Sequence, residues 1–319
     1  MSIDAGQHAP TRVAVIGAAG FVGSNVARAA RDAGHDVLAI DRIAGGLPTM
    51  RVCDLMTDNL EWLASEPLAI WCAGSSDHRG SWDDPMRDLN ANVAALLRAL
   101  EHFSGRLVFV SSGAVYHGLR GPVGPSSALS PTFPYAISKL AAERYVEAFS
   151  EAGRIDDHVI LRLFHPYGPG EPSRRIMAQL VERFGVRAET EMQLFGDGST
   201  LMDVLPVSAV ARMITAAATA LVSHATLDIC AGDPLTLREL AASVARAFGI
   251  NASIEGDLAR AEDGIAFYGD PGPARIALGI GPAPPLSKTV REYAQWMVTN
   301  QPKLEGTVVA NTSSTRSPE

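Results

Sequence analysis

The sequence predicts an α/β fold, a doubly wound parallel sheet followed by a smaller C-terminal α/β lobe. Short apolar runs alternate with stretches of helical periodicity through the first half of the chain. A glycine-rich turn follows the first run and opens the first helix. From about residue 165 Pro and Gly cluster, as in His165-Pro166-Tyr167-Gly168-Pro169-Gly170, and strand signals become sparse.

The apolar runs are Val13–Ile16, Val37–Ile40, Leu68–Trp71, Leu107–Val110 and Val159–Leu163, and the periodic stretches are Val22–Ala33, Leu89–Leu100 and Ile137–Phe149. A short continuous apolar run reads as a strand buried on both faces, which is what helices covering a parallel sheet require. No internal repeat is present. Residues 1–11 form a polar leader, and from Gln301 a Thr/Ser-rich tail begins; both are expected to be disordered.

Composition narrows the function classes. The 319 residues carry 27 Lys and Arg against 35 Asp and Glu, a net charge of -8, which offers no footprint for a nucleic acid or an anionic membrane. The N-terminus lacks the regions of a signal peptide, and no apolar stretch reaches the roughly 18 residues of a membrane span, so the expected compartment is the cytoplasm. Cys53, Cys72 and Cys230 stand far apart without CxxC or histidine companions; reduced core thiols are expected, and no metal site.

The first motif is Gly17-Ala18-Ala19-Gly20-Phe21-Val22-Gly23, between the first strand and first helix. Glycines at this spacing allow a tight turn, close backbone approach to a pyrophosphate and close helix packing, with the phosphates at the helix N-terminus. Asp41 closes the next strand about 20 residues on, where a carboxylate accepts hydrogen bonds from the adenosine ribose. It would repel a 2′-phosphate, so NAD is favoured over NADP, although Arg42 beside it leaves room for NADP.

The second constellation is Tyr135 and Lys139, which share a face at i and i+4 on a helix. A tyrosine with its usual pKa near 10 is a poor base at neutral pH, and a neighbouring cation favours its phenolate. On spacing alone such a pair also suits an ordinary helix surface. The strand Leu107–Val110 runs into Ser111-Ser112, which places a hydroxyl at the C-terminal edge of the sheet, where open α/β folds bind ligands. Capping the turn is the alternative role of Ser112.

Taken together, the Gly-x-x-Gly-x-x-Gly turn, Ser112, Tyr135 and Lys139 resemble the extended short-chain dehydrogenase/reductase family, in its NAD-dependent epimerase/dehydratase branch. Later segments in the same order strengthen the resemblance: Leu161–Gly170, Phe195-Gly196-Asp197-Gly198, Ala231-Gly232-Asp233-Pro234 and Leu278-Gly279. It covers about residues 12–298. It implies a Rossmann-like NAD-binding domain over 12–165, with some later segments returning to it, and a mainly substrate-binding lobe over 166–300. It further implies that Gly17, Gly20, Phe21, Val22 and Gly23 hold the pyrophosphate, Asp41 and Arg42 the ribose, and Asp54 and Leu55 the adenine end. Ala73, Gly74 and Phe164 would also touch the cofactor. Tyr135 would be the acid/base, Lys139 would lower its pKa and hold the nicotinamide ribose, and Ser112 would orient the reacting hydroxyl. Ser76, His165, Arg174, Arg175 and Arg260, together with Ser112, would contact the substrate.

Departures from the family pattern refine the chemistry. Where sugar dehydratases carry an acidic pair after the hydroxyl residue, this chain has Gly113 and Ala114, so elimination lacks its proton donor. Reversible hydride transfer remains, and an NAD-dependent epimerase of a nucleotide-activated sugar is the expectation. A 4-ketoreductase of a nucleotide deoxysugar is the first alternative, and a non-catalytic dinucleotide-binding sensor or scaffold the second. Met202 stands where the family carries a diphosphate-gripping Arg, which leaves open a sugar without a nucleotide. The expected partner is this small-molecule substrate; the resemblance allows a homodimer.

Overall fold

The structure, a computed structural model, describes residues 11–47, 49–257 and 264–308. Its centre is a sheet of seven parallel strands: β1 (Arg12–Ile16), β2 (Asp36–Asp41), β3 (Met50–Val52), β4 (Leu68–Trp71), β5 (Arg106–Ser112), β6 (Asp157–Leu163) and β7 (Ala225–Ile229). Among the described residues they lie in the order β7-β6-β5-β4-β1-β2-β3. The order reverses between β1 and β4, the switch point where doubly wound sheets open a crevice at their C-terminal edge. Every apolar run identified in the sequence lies inside one of these strands.

Alternation explains why the runs are continuously apolar. Val13, Val15, Val108 and Val110 enter the core on one face, while Ala14, Ile16, Leu107 and Phe109 enter the core on the other. The helices supply the cover: α1 (Phe21–Asp32), α2 (Pro85–Leu89), α3 (Ala95–Leu100), α4 (Pro134–Glu151) and α5 (Val207–Thr219). A π turn at Asn90–Ala94 joins α2 to α3, so the single helix expected over Leu89–Leu100 is wound unevenly. Asp84 starts α2 by accepting a hydrogen bond from Arg87 N, with Pro85 at the first helical position; α4 likewise starts on a proline, Pro134.

The chain divides into two compact units. The first holds the described residues up to Pro166, Thr200–Thr236 and 264–283. The return of the later segments follows from pairing: β7 lies beside β6, and α5 packs along α1. The second holds Tyr167–Ser199, 237–257 and 284–308. In it Glu191–Leu194 pairs in parallel with Ser253–Gly256, and α6 (Leu237–Ala247) packs against α7 (Leu286–Val308).

The expected leader, apart from Thr11, and the segment 309–319 lie outside the described residues. α7 continues past Gln301 to Val308, into the segment expected as a tail. No helix among the described residues is long and apolar enough to cross a membrane.

Candidate active site

At the end of β1 the chain turns through Gly17 at φ +86°, a conformation that side chains disfavour. A Cβ at Gly17 would stand 2.5 Å from Ala73 N, and one at Gly23 would run into Gly17 O. Bare backbone at these two positions therefore lets the turn lie against Ala73 and lets α1 lie against the turn. Gly20 is the N-cap of α1, with Phe21 and Val22 the first helical residues, and no side chain caps that end. An anionic group placed there would meet the positive end of the helix.

Asp41, the last residue of β2, is held at this turn: its Oδ2 accepts from Ala19 N at 3.0 Å and its Oδ1 from Ile43 N at 3.4 Å. Arg42 beside it is exposed. Asp54 Oδ1 accepts from Met56 N at 2.8 Å, forming a turn that Arg98 of α3 grips by donating to Leu55 O and Asp58 O. The uncapped helix start, the bare turn and the carboxylate at its flank fit a dinucleotide.

Tyr135 and Lys139 occupy the first two turns of α4, both buried. Lys139 Nζ donates to Val110 O at 2.8 Å and lies 4.5 Å from the centre of the Phe109 ring. The bond ties α4 to β5, the strand that ends at Ser112, so local helix spacing and a strand end meet at one sheet edge. Burial pushes the Lys139 ammonium down to about 8, against the opposing charge of Glu143. Ser112 Oγ accepts from Ala114 N at 3.1 Å, the turn-capping role, and its hydroxyl hydrogen remains to be donated.

Gly113 has a packing reason. A Cβ there would stand 3.1 Å from the Phe164 ring, a tight contact that the ring would have to relieve by a small shift. Phe164 itself is buried among Tyr116, Val123, Cys230 and Phe267.

The sequence reading missed three polar residues that hold this edge together. Asn92, in the π turn, accepts from Ser75 N at 3.0 Å and donates to Asp88 Oδ1 at 2.9 Å and Ser138 Oγ at 3.1 Å. Ser138 Oγ donates to Tyr135 O at 2.9 Å, and Ser81 Oγ accepts from Tyr135 N at 3.3 Å. Asn92 fills the space above Gly74, at φ +142°, where any Cβ would collide with it. The available signal was an Asn interrupting the apolar face of Leu89–Leu100.

The expected substrate residues are placed unevenly. Ser76 is exposed in the loop after β4. His165 N donates to Asp203 O at 3.2 Å; the Asp203 carboxylate in turn accepts from Ala231 N at 2.6 Å and Gly232 N at 3.1 Å. Met202, in place of the family Arg, is buried. Arg174, exposed, and Arg175 belong to the second unit, where the buried Glu171 carboxyl is pushed up to about 7 by burial and drawn down by Arg175. Arg260 lies outside the described residues. Among those described, no group of His, Cys, Asp or Glu is arranged to hold a metal ion.

Residues 13–230 match the profile of the NAD dependent epimerase/dehydratase family. A Bacillus subtilis protein described as an uncharacterized UDP-glucose epimerase, YtcB, is 29% identical over 229 residues, 64% of this chain and 72% of that protein. The 2-alkyl-3-oxoalkanoate reductase of Stenotrophomonas maltophilia is 30% identical over 264 residues, 75% of this chain and 76% of that protein. Among solved structures, MoeE5 in complex with UDP-glucose and NAD superposes with a TM-score of 0.81 at 28% identity, covering 91% of this chain and 99% of that one.

Proposed function

The chain belongs to the NAD dependent epimerase/dehydratase family, as an enzyme of the extended short-chain dehydrogenase/reductase type, and on that premise we propose that it epimerises a nucleotide-activated sugar. The reaction proposed is proton removal from a sugar hydroxyl coupled to reversible hydride transfer at the same carbon. The observation that carries this is Lys139: a buried ammonium one helical turn from Tyr135, held by Val110 O on the strand that leads to Ser112.

Gly17, Gly20 and Gly23 would hold the pyrophosphate, Asp41 the adenosine ribose, and Asp54 and Leu55 the adenine end. Asp41 favours NAD, because a carboxylate at the turn repels a 2′-phosphate. Bound there, NAD supplies a hydride acceptor that can return what it takes. Lys139, still largely protonated at pH 7, favours the Tyr135 phenolate by its charge. Tyr135 takes the proton of the sugar hydroxyl and gives it back in the return step, and the Ser112 hydroxyl donates to the reacting oxygen and orients it. Gly113 and Ala114, which follow Ser112, carry no acid to expel water, which favours epimerisation over elimination.

A UDP-linked sugar is supported by the names of the relatives: YtcB as a UDP-glucose epimerase, MoeE5 with UDP-glucose. A net reduction is the second reading, favoured by the reductase among the relatives. The assembly proposed is a homodimer through α2 and α4, which pack together and expose Met86, Leu89, Ile137 and Tyr145.

The test is mass spectrometry of the cofactor released from freshly purified protein, then incubation with UDP-, dTDP-, GDP- and CDP-sugars. Co-purified NAD with an isomeric product, lost in Tyr135→Phe, is the expected result. An empty protein that consumes NADPH only with a 4-keto sugar would overturn the epimerase reading in favour of the reductase.

A further inference from the structure

The ring of Tyr135 has a partner outside every sequence motif. After β4 the chain passes Gly74 and enters a loop pinned at several points: Ser75 N to Asn92 Oδ1 at 3.0 Å, Gly80 N to Asp77 Oδ1 at 3.0 Å, and Ser81 Oγ to His78 O at 2.7 Å. Ser81 Oγ also accepts from Tyr135 N at 3.3 Å, which joins the loop to the first turn of α4. The result is a stack. The His78 imidazole lies on the Tyr135 phenol with ring centres 4.6 Å apart and planes 28° from parallel. Phe133 flanks both rings, at 5.5 Å from His78 and 6.1 Å from Tyr135.

We propose that His78 is a positioning residue for Tyr135, its imidazole fixing the orientation of the phenol ring and shielding one face of that ring from water. The phenol oxygen of a tyrosine lies on the axis of its terminal torsion and is displaced only when the whole ring swings about χ1, and a general base displaced by about 1 Å can lose a hundredfold in rate. Backbone bonds with Ser81 and Ser138 locate the main chain of Tyr135, whereas the stack acts on the ring and opposes its swing. His78 is itself exposed, so it forms a wall of the site on the solvent side. The inference rests on Tyr135 being the proton-transfer group of the proposed reaction.

The experiment compares His78→Phe, which keeps a flat ring, with His78→Ala and His78→Gln, which remove it. One readout needs no substrate: the pH midpoint of Tyr135 ionisation, from phenolate absorbance of each chain minus that of the same chain carrying Tyr135→Phe. His78→Phe is expected to keep the wild-type midpoint. His78→Ala and His78→Gln are expected to lower it by about half a pH unit, because water reaches the uncovered face and solvates the phenolate. With substrate, the same two variants are expected to lose about tenfold in kcat while KM stays within about twofold, and His78→Phe to retain most of kcat. Unchanged midpoints in His78→Ala and His78→Gln, or a His78→Phe protein as impaired as His78→Ala, would overturn the proposal. A shifted midpoint with no turnover of any nucleotide sugar would uphold His78 and refute the assigned reaction instead.

Discussion

Arg162 donates to Glu143 through Nη2 at 2.8 Å and through Nε at 3.1 Å, with the two side chains 3% and 0% exposed. The pair joins β6 to α4 one helical turn beyond Lys139. Sheet register makes it possible: Ser111 pairs with Arg162, so both reach Glu143 from adjacent strands, Ser111 through its hydroxyl. Arg162 Nη1 also donates to Tyr116 OH at 2.8 Å, and Tyr116 donates to Asp228 Oδ1 at 2.8 Å. Burial pushes the Asp228 carboxyl up to about 6, while Tyr116 and Arg162 hold it down.

Arg162→Met is expected to destabilise the protein by about 3–5 kcal/mol, because it strands a buried carboxylate. Adding Glu143→Gln should recover much of that loss, since the double variant buries no unpaired charge. Urea unfolding of the two single variants and the double variant measures it. Strictly additive losses would rule out the coupling.

Lys139→Met should stabilise the cofactor-free fold at pH 7 while abolishing turnover. The folded value of about 8 lies below the ordinary 10.5 of an exposed lysine, so burial of the charge works against folding wherever the ammonium is charged. Between those two pH values the unfolded chain binds more protons, and stability rises with pH. The variant lacks this slope, and its advantage, about 1–3 kcal/mol at pH 7, should shrink towards pH 10. Thermal melts across that range provide the check; a lower Tm for Lys139→Met at pH 7 would refute it.

Glu171 in the second unit gives the opposite sign. Its carboxyl, pushed up to about 7 from an ordinary 4.5, holds a proton in the folded state that the unfolded chain has lost between those values. Its contribution to stability is present at low pH and falls as pH rises from 4.5 to 7. Glu171→Gln should match the wild type near pH 5 and exceed its Tm at pH 8. A Tm difference independent of pH would remove Glu171 as the cause.

Gly17 and Gly34 share a left-handed backbone, at φ +86° and +87°, but only Gly17 faces another backbone; around Gly34 there is open space. Gly34→Ala should therefore cost only the conformational strain, about 1 kcal/mol, and leave NAD binding intact. Gly17→Ala should cost more, because its Cβ meets Ala73 N, and should abolish binding. Melting curves and NAD calorimetry on the pair separate strain from collision; equal effects would show that the collision is relieved.

The glycine turn, Asp41 and the Tyr135–Lys139 pair were legible because each depends on neighbours close in the chain. A turn between strand and helix selects glycine locally, and i,i+4 spacing puts two side chains on one face whatever surrounds them. The apolar runs were equally legible, because a strand buried on both faces leaves few places for polar residues, and those that occur, such as Arg162, need a buried partner. The extent of α7 beyond Gln301 was not, since Pro302 and Gly306 stand in that stretch and both disfavour a helix interior.

What the sequence by itself determined is the parallel sheet, the glycine turn that opens α1 and the candidate side chains Ser112, Tyr135 and Lys139 at the sheet edge. Only the tertiary structure decided what holds them: Val110 O for Lys139, Asn92 and Ser81 around Tyr135, His78 on its ring, and Arg162 for Glu143. It also returned Thr200–Thr236 to the first unit. These partners lie far apart in the chain and are joined by strand register and loop closure. A buried polar group demands a partner, but its spacing along the chain does not name one.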